Sequence, residues 1–306
     1  MNRTIKDYAI ISAKGLAMGA ADVVPGVSGG TIAFISGIYE ELLETISSVN
    51  FAALKKIKTE GIKGFWKHIN GNFIAALFLG IVVSVFSLAE IIIYLLTEHS
   101  ILLWSFFFGL IIASIILVGK KIKQWGVSKV IGLLIGTVAA YYITVLPPMQ
   151  NPDALWFVFL SGAIAICAMI LPGISGSFIL LLLGSYEMIL GAIKDIKIAT
   201  IGVFAIGCLT GLLSFSKLLN WLFKNHHDLT IAILTGFLIG SLNKIWPWKD
   251  TVSTRINSHG ETVPFMQENI LPQHFDGSPQ IIGAIVMAII GLVLIIGLEK
   301  LAKKSD

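Results

Sequence analysis

The segment PGVSGG at residues 25–30 decides the fold, because it returns as PGISGS at residues 172–177. The copies are 147 residues apart, and in both the shared PGxSG is followed by seven residues and then by Gly-x-Tyr-Glu. Apolar sequence flanks each Pro-Gly break. A pattern that recurs at a fixed distance indicates that the chain is built from two related halves.

The composition places these breaks inside a membrane protein. The chain has 306 residues, of which 56% are hydrophobic and 13% charged, and its mean hydropathy is +0.86. So few charges cannot cover a soluble surface, and several runs approach the roughly 20 apolar residues that cross a bilayer core. We predict an all-α polytopic membrane protein of two inverted-topology repeats. Each repeat is a helical hairpin broken at PGxSG plus three transmembrane helices.

The chain divides near residue 150. The first repeat, residues 1–150, contains a broken hairpin at 8–48 and spans at 72–96, 101–118 and 127–146. The second repeat, residues 151–306, contains a broken hairpin at 154–193, spans at 198–215, 229–245 and 280–298, and an external loop at 246–279. The sequence leaves open whether each hairpin is re-entrant or crosses the membrane fully.

The orientation follows from counting crossings. A hairpin that returns to its starting side adds an even number of crossings, so the three spans that follow it invert the second half. Seventeen of the 22 Lys and Arg residues then lie on the side of the N-terminus. Because cytoplasmic connections are enriched in these residues, we predict that both termini are cytoplasmic.

The breaks predict a binding site for an anion. Irregular backbone at membrane depth is tolerated only where protein or a polar cavity surrounds it. The residues after each break present free N–H groups and the positive end of a helix dipole, which suit a phosphate. In secondary transporters, two such breaks from inverted halves form the substrate site. The candidate phosphate-binding residues are Pro25, Gly26, Ser28, Gly29, Gly30 and Thr31 in the first half and Pro172, Gly173, Ser175, Gly176 and Ser177 in the second.

Four charged residues in or beside the apolar stretches are candidates for proton coupling or charge pairing, because charges are expensive there. Lys14 and Asp22 share the first stretch, eight residues or about two helical turns apart. Glu40 and Glu187 occupy equivalent positions in the two copies. Alternatively, both glutamates lie at helix ends and reach headgroups or water, and the breaks are only kinks that allow close packing.

No cofactor, metal or nucleic acid is expected. Cys167 and Cys208 both lie in apolar runs, which argues against a disulfide framework and a Cys/His zinc site. The net charge of +4 does not by itself indicate binding to nucleic acid, because the basic residues of a membrane protein first of all reflect its orientation in the membrane.

The doubled motif, together with residues 14–31 (KGLAMGAADVVPGVSGGT), resembles the PopT-like polyprenyl-phosphate transporter family over essentially the full length. The resemblance implies a flippase of the bacterial cytoplasmic (inner) membrane. Such a protein returns undecaprenyl phosphate, the carrier lipid of cell wall biogenesis, from the outer to the inner leaflet. Its partners would be the polyprenyl phosphate, the bilayer and a coupling proton. In the second copy Ser177 replaces Gly30, and Lys14 and Asp22 have no counterparts, which leaves open whether the two sites are equivalent.

The direction implied by the resemblance requires an energy source. Moving an anion into a negative interior costs about 2.3 kcal/mol per charge per 100 mV. Our hypothesis is proton coupling through Asp22, Glu40 or Glu187, while the polyprenyl tail stays in the lipid.

Enzyme activity is not expected, although two enzyme classes share parts of the pattern. Undecaprenyl pyrophosphate phosphatases use inverted hairpins and a PGxSRS-type motif, but here glycine replaces the arginine that would neutralise a transferring phosphoryl group. Intramembrane serine proteases need a histidine base within a span, and all six histidines lie in connectors or at span ends. A channel, or a carrier of another phosphate-bearing or anionic substrate, stays open.

Overall fold

The described chain is almost entirely helical, which confirms the all-α polytopic fold. The structure, a computed structural model, describes residues 3–24, 27–149, 154–256 and 262–303. The helices of the first half are α1 (Ile5–Val23), α2 (Gly29–Ile35), α3 (Tyr39–Ser47), α4 (Phe51–His68), α5 (Gly71–Glu98), α6 (Ser100–Gly119) and α7 (Val127–Val145). Those of the second half are α8 (Leu155–Ile170), α9 (Gly176–Leu182), α10 (Tyr186–Lys194), α11 (Ile198–Ser241) and α12 (Ile281–Lys303).

Among these residues, four helices are long and apolar enough to cross a membrane, namely α6, α7, α11 and the Gly71–Leu88 part of α5. The first three predicted spans therefore coincide with α5, α6 and α7. Shorter apolar helices are α8 and the Ile281–Gly297 part of α12.

The predicted spans 198–215 and 229–245 lie in the two parts of α11, a 44-residue element in which two helices meet at a kink. Its non-helical residue is His226 (φ −138°, ψ 48°), so the division lies there and not across a connector. The helix continues past residue 215 because it becomes amphipathic. Leu219 and Phe223 are buried four residues apart, whereas Lys217 is exposed.

The segment predicted as an external loop, residues 246–279, contains a β-hairpin that the sequence analysis did not predict. Strands β1 (Lys249–Ile256) and β2 (Thr262–Asn269) pair antiparallel, with Lys249 opposite Asn269. The β-branched residues Thr251, Val252, Thr254 and Ile256 of β1 were the available signal. The segment continues into a 3₁₀ turn at Pro272–His274.

The internal repeat is visible in the helix bounds. Adding 147 to the bounds of α2 (29–35) and α3 (39–47) gives those of α9 (176–182) and α10 (186–194). The glycine before each Tyr-Glu pair has a positive φ, 78° at Gly37 and 64° at Gly184. Glycine adopts this conformation without strain, so the same turn reverses the chain in both copies.

The first helix of each hairpin packs parallel to the first span that follows the hairpin. Glycine residues allow the two helices to approach closely. Gly15 and Gly19 of α1 lie against Leu77 and Ile81 of α5. Gly162, which is 147 residues after Gly15, lies against Phe204 of α11. Since the contacts advance in the same direction along both helices, α1 and α5 start on the same side, as expected for a hairpin that returns.

Two further parallel pairs join the halves. α6 packs on α12 through Gly109 with Ala288 and Leu102 with Gly283, and α7 packs on α11 through Gly136 with Phe237. If α5, α6 and α7 alternate in direction, these pairs orient the corresponding spans of the second half oppositely. The inverted topology stays a prediction, which these registers favour.

The close contact of Gly15 with α5 gives a first testable prediction. In Gly15→Val, the new side chain would overlap the carbonyl oxygen of Leu77. Overpacking costs about 1–3 kcal/mol, so we expect the midpoint of thermal unfolding in detergent to fall by about 5 °C. The matched control is Gly202→Val in α11, where a side chain meets open space. Equal midpoints for the two variants would contradict the close packing of α1 on α5.

Candidate functional site

The first hairpin returns to the side on which it begins. At its open end, Arg3 Nη2 lies 2.6 Å from Glu41 Oε2 of α3. Farther along α1, toward the break, Lys14 Nζ donates to the carbonyl of Ser36 at 2.7 Å. The break between α1 and α2 therefore lies at the closed tip of the first hairpin.

The amides of the first motif have partners within the chain. Pro25 and Gly26 lie outside the described residues. Gly29 N donates to Asp22 Oδ1 at 2.7 Å, and Gly30 N donates to Ser28 Oγ at 3.0 Å. The carboxylate of Asp22 thus lies at the start of α2, where a phosphate was expected. Buried N–H groups need acceptors, and a negative charge is favourable at a helix N-terminus.

The second motif differs because it lacks this carboxylate. Met169 occupies the position equivalent to Asp22, 147 residues on. The hydroxyls of Ser175 and Ser177 share a hydrogen bond of 2.8 Å. Within the described part of the chain, the amides of Gly176 and Ser177 have no hydrogen-bond acceptor. The two motifs are therefore not equivalent, and among the described residues the second offers free N–H groups at the start of its helix.

The two motifs meet directly at the centre of the molecule. Gly173 N donates to Thr31 Oγ1 at 2.8 Å, and Ser28 Oγ donates to the carbonyl of Met169 at 2.9 Å. Ser28 and Thr31 are fully buried, and Ser175 is 5% exposed. Side chains of the first motif thus satisfy backbone groups of the second, and Pro172 lies in this junction.

Tyr39, which the sequence analysis matched to Tyr186 but gave no role, belongs to the same junction. Its hydroxyl donates to the carbonyl of Ile170 at 3.1 Å. Its buried ring packs edge-on against Phe34 and Phe223, with ring centres 5.1 and 5.8 Å apart. The repeated Gly-x-Tyr-Glu pattern was the signal that could have assigned Tyr39 a structural role.

The charged candidates are not brought together. Glu40 and Glu187 are both exposed, in the first turns of α3 and α10. Glu40 Oε1 lies 3.3 Å from His227 Nε2. These positions favour the alternative that the glutamates lie at helix ends near water. Asp22 is the candidate that contacts a motif.

An open, mostly apolar cavity lies away from the motifs, between α6, α7 and α11. Its volume is about 350 Å³, and its lining includes Ile115, Trp125, Leu133 and Thr235, with Lys120. The dimensions and apolar lining suit a hydrocarbon chain more than a charged headgroup.

No group of three or more His, Cys, Asp or Glu side chains in the described ranges could hold a metal ion. The Cys167 and Cys208 thiols are free.

Comparisons with known proteins point to one family. Residues 18–263 match the family described as VCA0040-like, undecaprenyl phosphate translocase-like. The chain is 51% identical to a polyprenyl-phosphate transporter of Vibrio cholerae serotype O1, with 95% of this chain and 96% of the relative covered. It is 33% identical to a polyprenyl-phosphate transporter of Staphylococcus aureus, with 76% of this chain and 84% of the relative covered. No solved structure matches the chain.

Proposed function

Because the chain belongs to the VCA0040-like, undecaprenyl phosphate translocase-like family, we propose that it transports polyprenyl phosphate across the bacterial cytoplasmic membrane. The substrate is undecaprenyl phosphate, and it moves from the outer to the inner leaflet. The observation that carries this proposal is the meeting of two broken hairpins at Gly173 and Thr31, with free amides at the second motif. Such a junction of broken helices is where secondary transporters bind their substrates.

The headgroup binds at the second motif. The amides of Gly176 and Ser177 and the hydroxyls of Ser175 and Ser177 are the donors that a phosphate needs. In the first motif, Asp22 already supplies the anion for Gly29, and Gly30 donates to Ser28. Phosphate reaches that motif only after the carboxylate leaves or is neutralised.

Asp22 therefore couples transport to a proton. Uptake of a phosphate with one to two charges against the membrane potential needs a compensating cation, at about 2.3 kcal/mol per charge per 100 mV. A proton on Asp22 removes the negative charge that competes with phosphate for the amide of Gly29. Glu40 and Glu187 are exposed in the first turns of α3 and α10, and Lys14 donates to the Ser36 carbonyl. The polyprenyl tail stays in the lipid, against apolar grooves such as that between α6, α7 and α11.

Translocation fits the site better than phosphoryl transfer. Arg3 is paired with Glu41 at the open end of the first hairpin, far along the chain from the tip, and Arg255 belongs to β1. Glu44 of the Glu40-x-x-x-Glu44 pattern lies 3.4 Å from Lys224 at the surface. A phosphatase needs cations and acids at the phosphate itself.

The experiment is a flipping assay in proteoliposomes that contain undecaprenyl phosphate with a fluorescent label. We expect purified protein to raise the rate of label translocation at least tenfold over empty liposomes. The double variant Ser175→Ala/Ser177→Ala should lose most of this rate, because a hydrogen bond to a charged group contributes about 1.5–3 kcal/mol. Ser87→Ala on the exposed face of α5 is the matched control.

Two results would overturn the proposal. One is a translocation rate equal to that of empty liposomes. The other is release of inorganic phosphate from undecaprenyl pyrophosphate by the same preparation, which would indicate a phosphatase. A rate that ignores an imposed pH gradient would refute proton coupling while leaving transport in place.

A further inference from the structure

Two lysines follow α11 and lie beneath the β-hairpin. Lys249 Nζ donates to the carbonyl of Lys244 at 2.7 Å and lies 4.0 Å from the centre of the Trp104 ring. Lys244 Nζ lies 4.2 Å from the centre of the Phe178 ring. Both lysines are partly buried. The β-hairpin, α6 and α9 thus hold two ammonium groups in one place.

Neither ammonium has a carboxylate partner among the residues that the structure describes. Burial, with the charge of Lys244 as a second cause, lowers the pKa of Lys249 to about 7. Aromatic rings attract a cation but do not neutralise it. Burial also lowers the pKa of Lys244, to about 8. Because both shifts arise chiefly from burial without a counter-ion, a bound anion would favour the protonated form of both lysines.

Three hydrogen bonds from side chains to backbone carbonyls hold the structure around the two lysines in place. Trp248 Nε1 donates to the carbonyl of Pro279 at 2.8 Å, and Trp246 Nε1 donates to the carbonyl of Ile270 at 2.9 Å. Asn269 of β2 donates to the carbonyl of Asn243 at 2.8 Å. These bonds fasten the β-hairpin over the residues between α11 and β1, and they fix the position of both lysines.

The cluster borders the second motif. Phe178, which contacts Lys244, directly follows Ser177 in α9. A Cβ atom on Gly173 would lie 2.7 Å from Ser241 Oγ, three residues before Lys244. The lysine cluster therefore contacts the helix that begins with the free amides of Gly176 and Ser177.

We propose that Lys244 and Lys249 form a receiving site for a phosphate monoester on the side of the β-hairpin, from which the headgroup passes to the second motif. This inference rests on the proposed function, because it assigns the first contact of the same substrate. A dianion matches two ammonium groups in charge, and Trp104 and Phe178 shield the pair from water, which strengthens the attraction. The ligand is a phosphate carried by a lipid or free inorganic phosphate.

The test measures binding in nanodiscs by tryptophan fluorescence, with undecaprenyl phosphate, undecaprenol or inorganic phosphate as the probe. We expect undecaprenyl phosphate to bind, undecaprenol to bind at least tenfold more weakly, and Lys244→Met/Lys249→Met to weaken the phosphate lipid at least tenfold. Arginine at both positions should restore binding. Lys194→Met, an exposed lysine at the end of α10, is the control and should bind as the wild type does.

The possible outcomes distinguish a lipid phosphate from inorganic phosphate as the ligand. They also distinguish failure of the receiving site from failure of the transport function. Competition by inorganic phosphate at micromolar concentration would assign the site to the free ion, whereas competition only by the phosphate lipid would assign it to the headgroup. Unchanged binding in the folded methionine variant would overturn the receiving site, even if flipping in proteoliposomes is normal. Lysine-dependent binding together with no flipping by the wild type would retain the site and refute the transport function.

Discussion

Asp22→Asn is expected to slow the flipping of undecaprenyl phosphate at least tenfold while the protein still folds. The asparagine Oδ1 can keep the 2.7 Å hydrogen bond from Gly29 N, so the start of α2 retains its acceptor. What disappears is the negative charge and the ability to exchange a proton. A charged hydrogen-bond partner is worth about 1.5–3 kcal/mol, which corresponds to roughly ten- to a hundredfold in rate. The measurement is the initial flipping rate with and without an imposed pH gradient.

The matched control is Asp7→Asn. Asp7 also accepts a backbone N–H at a helix N-terminus, since its Oδ2 lies 2.7 Å from Thr4 N, but it is exposed at the start of α1. We expect this variant to flip lipid at the normal rate and to keep its response to a pH gradient. If Asp22→Asn also flips normally and responds to the gradient, the carboxylate of Asp22 is only a helix cap. If it fails to fold, Asp22→Glu, which keeps the charge, decides between the two roles by its rate.

The broken hairpins and the first three spans could be predicted because their signals are local. A Pro-Gly break ends a helix wherever it lies, and Gly37 and Gly184 mark the second turn through a conformation that favours glycine. The β-hairpin and the extension of the first part of α11 beyond residue 215 were missed for different reasons. The strands are short and carry polar residues, and the residues that extend α11 show their helical period only when the buried partners of Leu219 and Phe223 are known.

The candidate site was predicted in its residues but not in its bonding. The absence of an Asp22 counterpart in the second copy already raised the question of whether the motifs are equivalent. That Asp22 folds back onto Gly29 depends on the shape of the break, which the sequence does not fix. Glu40 and Glu187 are exposed in the first turns of the short helices α3 and α10. In the second hairpin, the arm bends by 106° between Leu182 and Tyr186, so the next helix turns away from the junction.

In the sequence analysis, Lys244 and Lys249 are only two of the five basic residues that the predicted orientation places on the side opposite the N-terminus. A lysine a few residues after an apolar run is ordinary in sequence, because it usually reaches the headgroups or water. Only the fold shows that both side chains turn inward under the β-hairpin, toward Phe178 and Trp104. The signal that distinguishes a binding lysine from a solvated one is its partner, which lies far away in the chain.

The second prediction tests the contact between the motifs. It exchanges the residues at one pair of equivalent positions in the two copies. Gly30 and Ser177 correspond in the repeat. A Cβ atom on Gly30 would lie 2.6 Å from the carbonyl oxygen of Ile170 and 2.7 Å from that of Met169. These are backbone atoms at the end of α8, which cannot rotate away as a side chain can. Gly30→Ser is therefore expected to push the first motif off α8 and break the hydrogen bond from Ser28 to Met169.

We expect Gly30→Ser to lower the flipping rate more than tenfold and to destabilise the protein by about 1–3 kcal/mol, the usual range for overpacking. The reciprocal change, Ser177→Gly, removes a hydroxyl and adds no atoms. It should leave the midpoint of thermal unfolding within a few degrees of the wild type, although it removes one proposed phosphate donor. A Gly30→Ser protein that unfolds at the wild-type temperature and flips lipid normally would show that the two motifs separate during transport without consequence, and that their contact is not the substrate site. Loss of flipping in Gly30→Ser with a stable Ser177→Gly would instead place the requirement on the close approach of the two breaks, because only Gly30→Ser adds atoms where the first motif meets the backbone of α8.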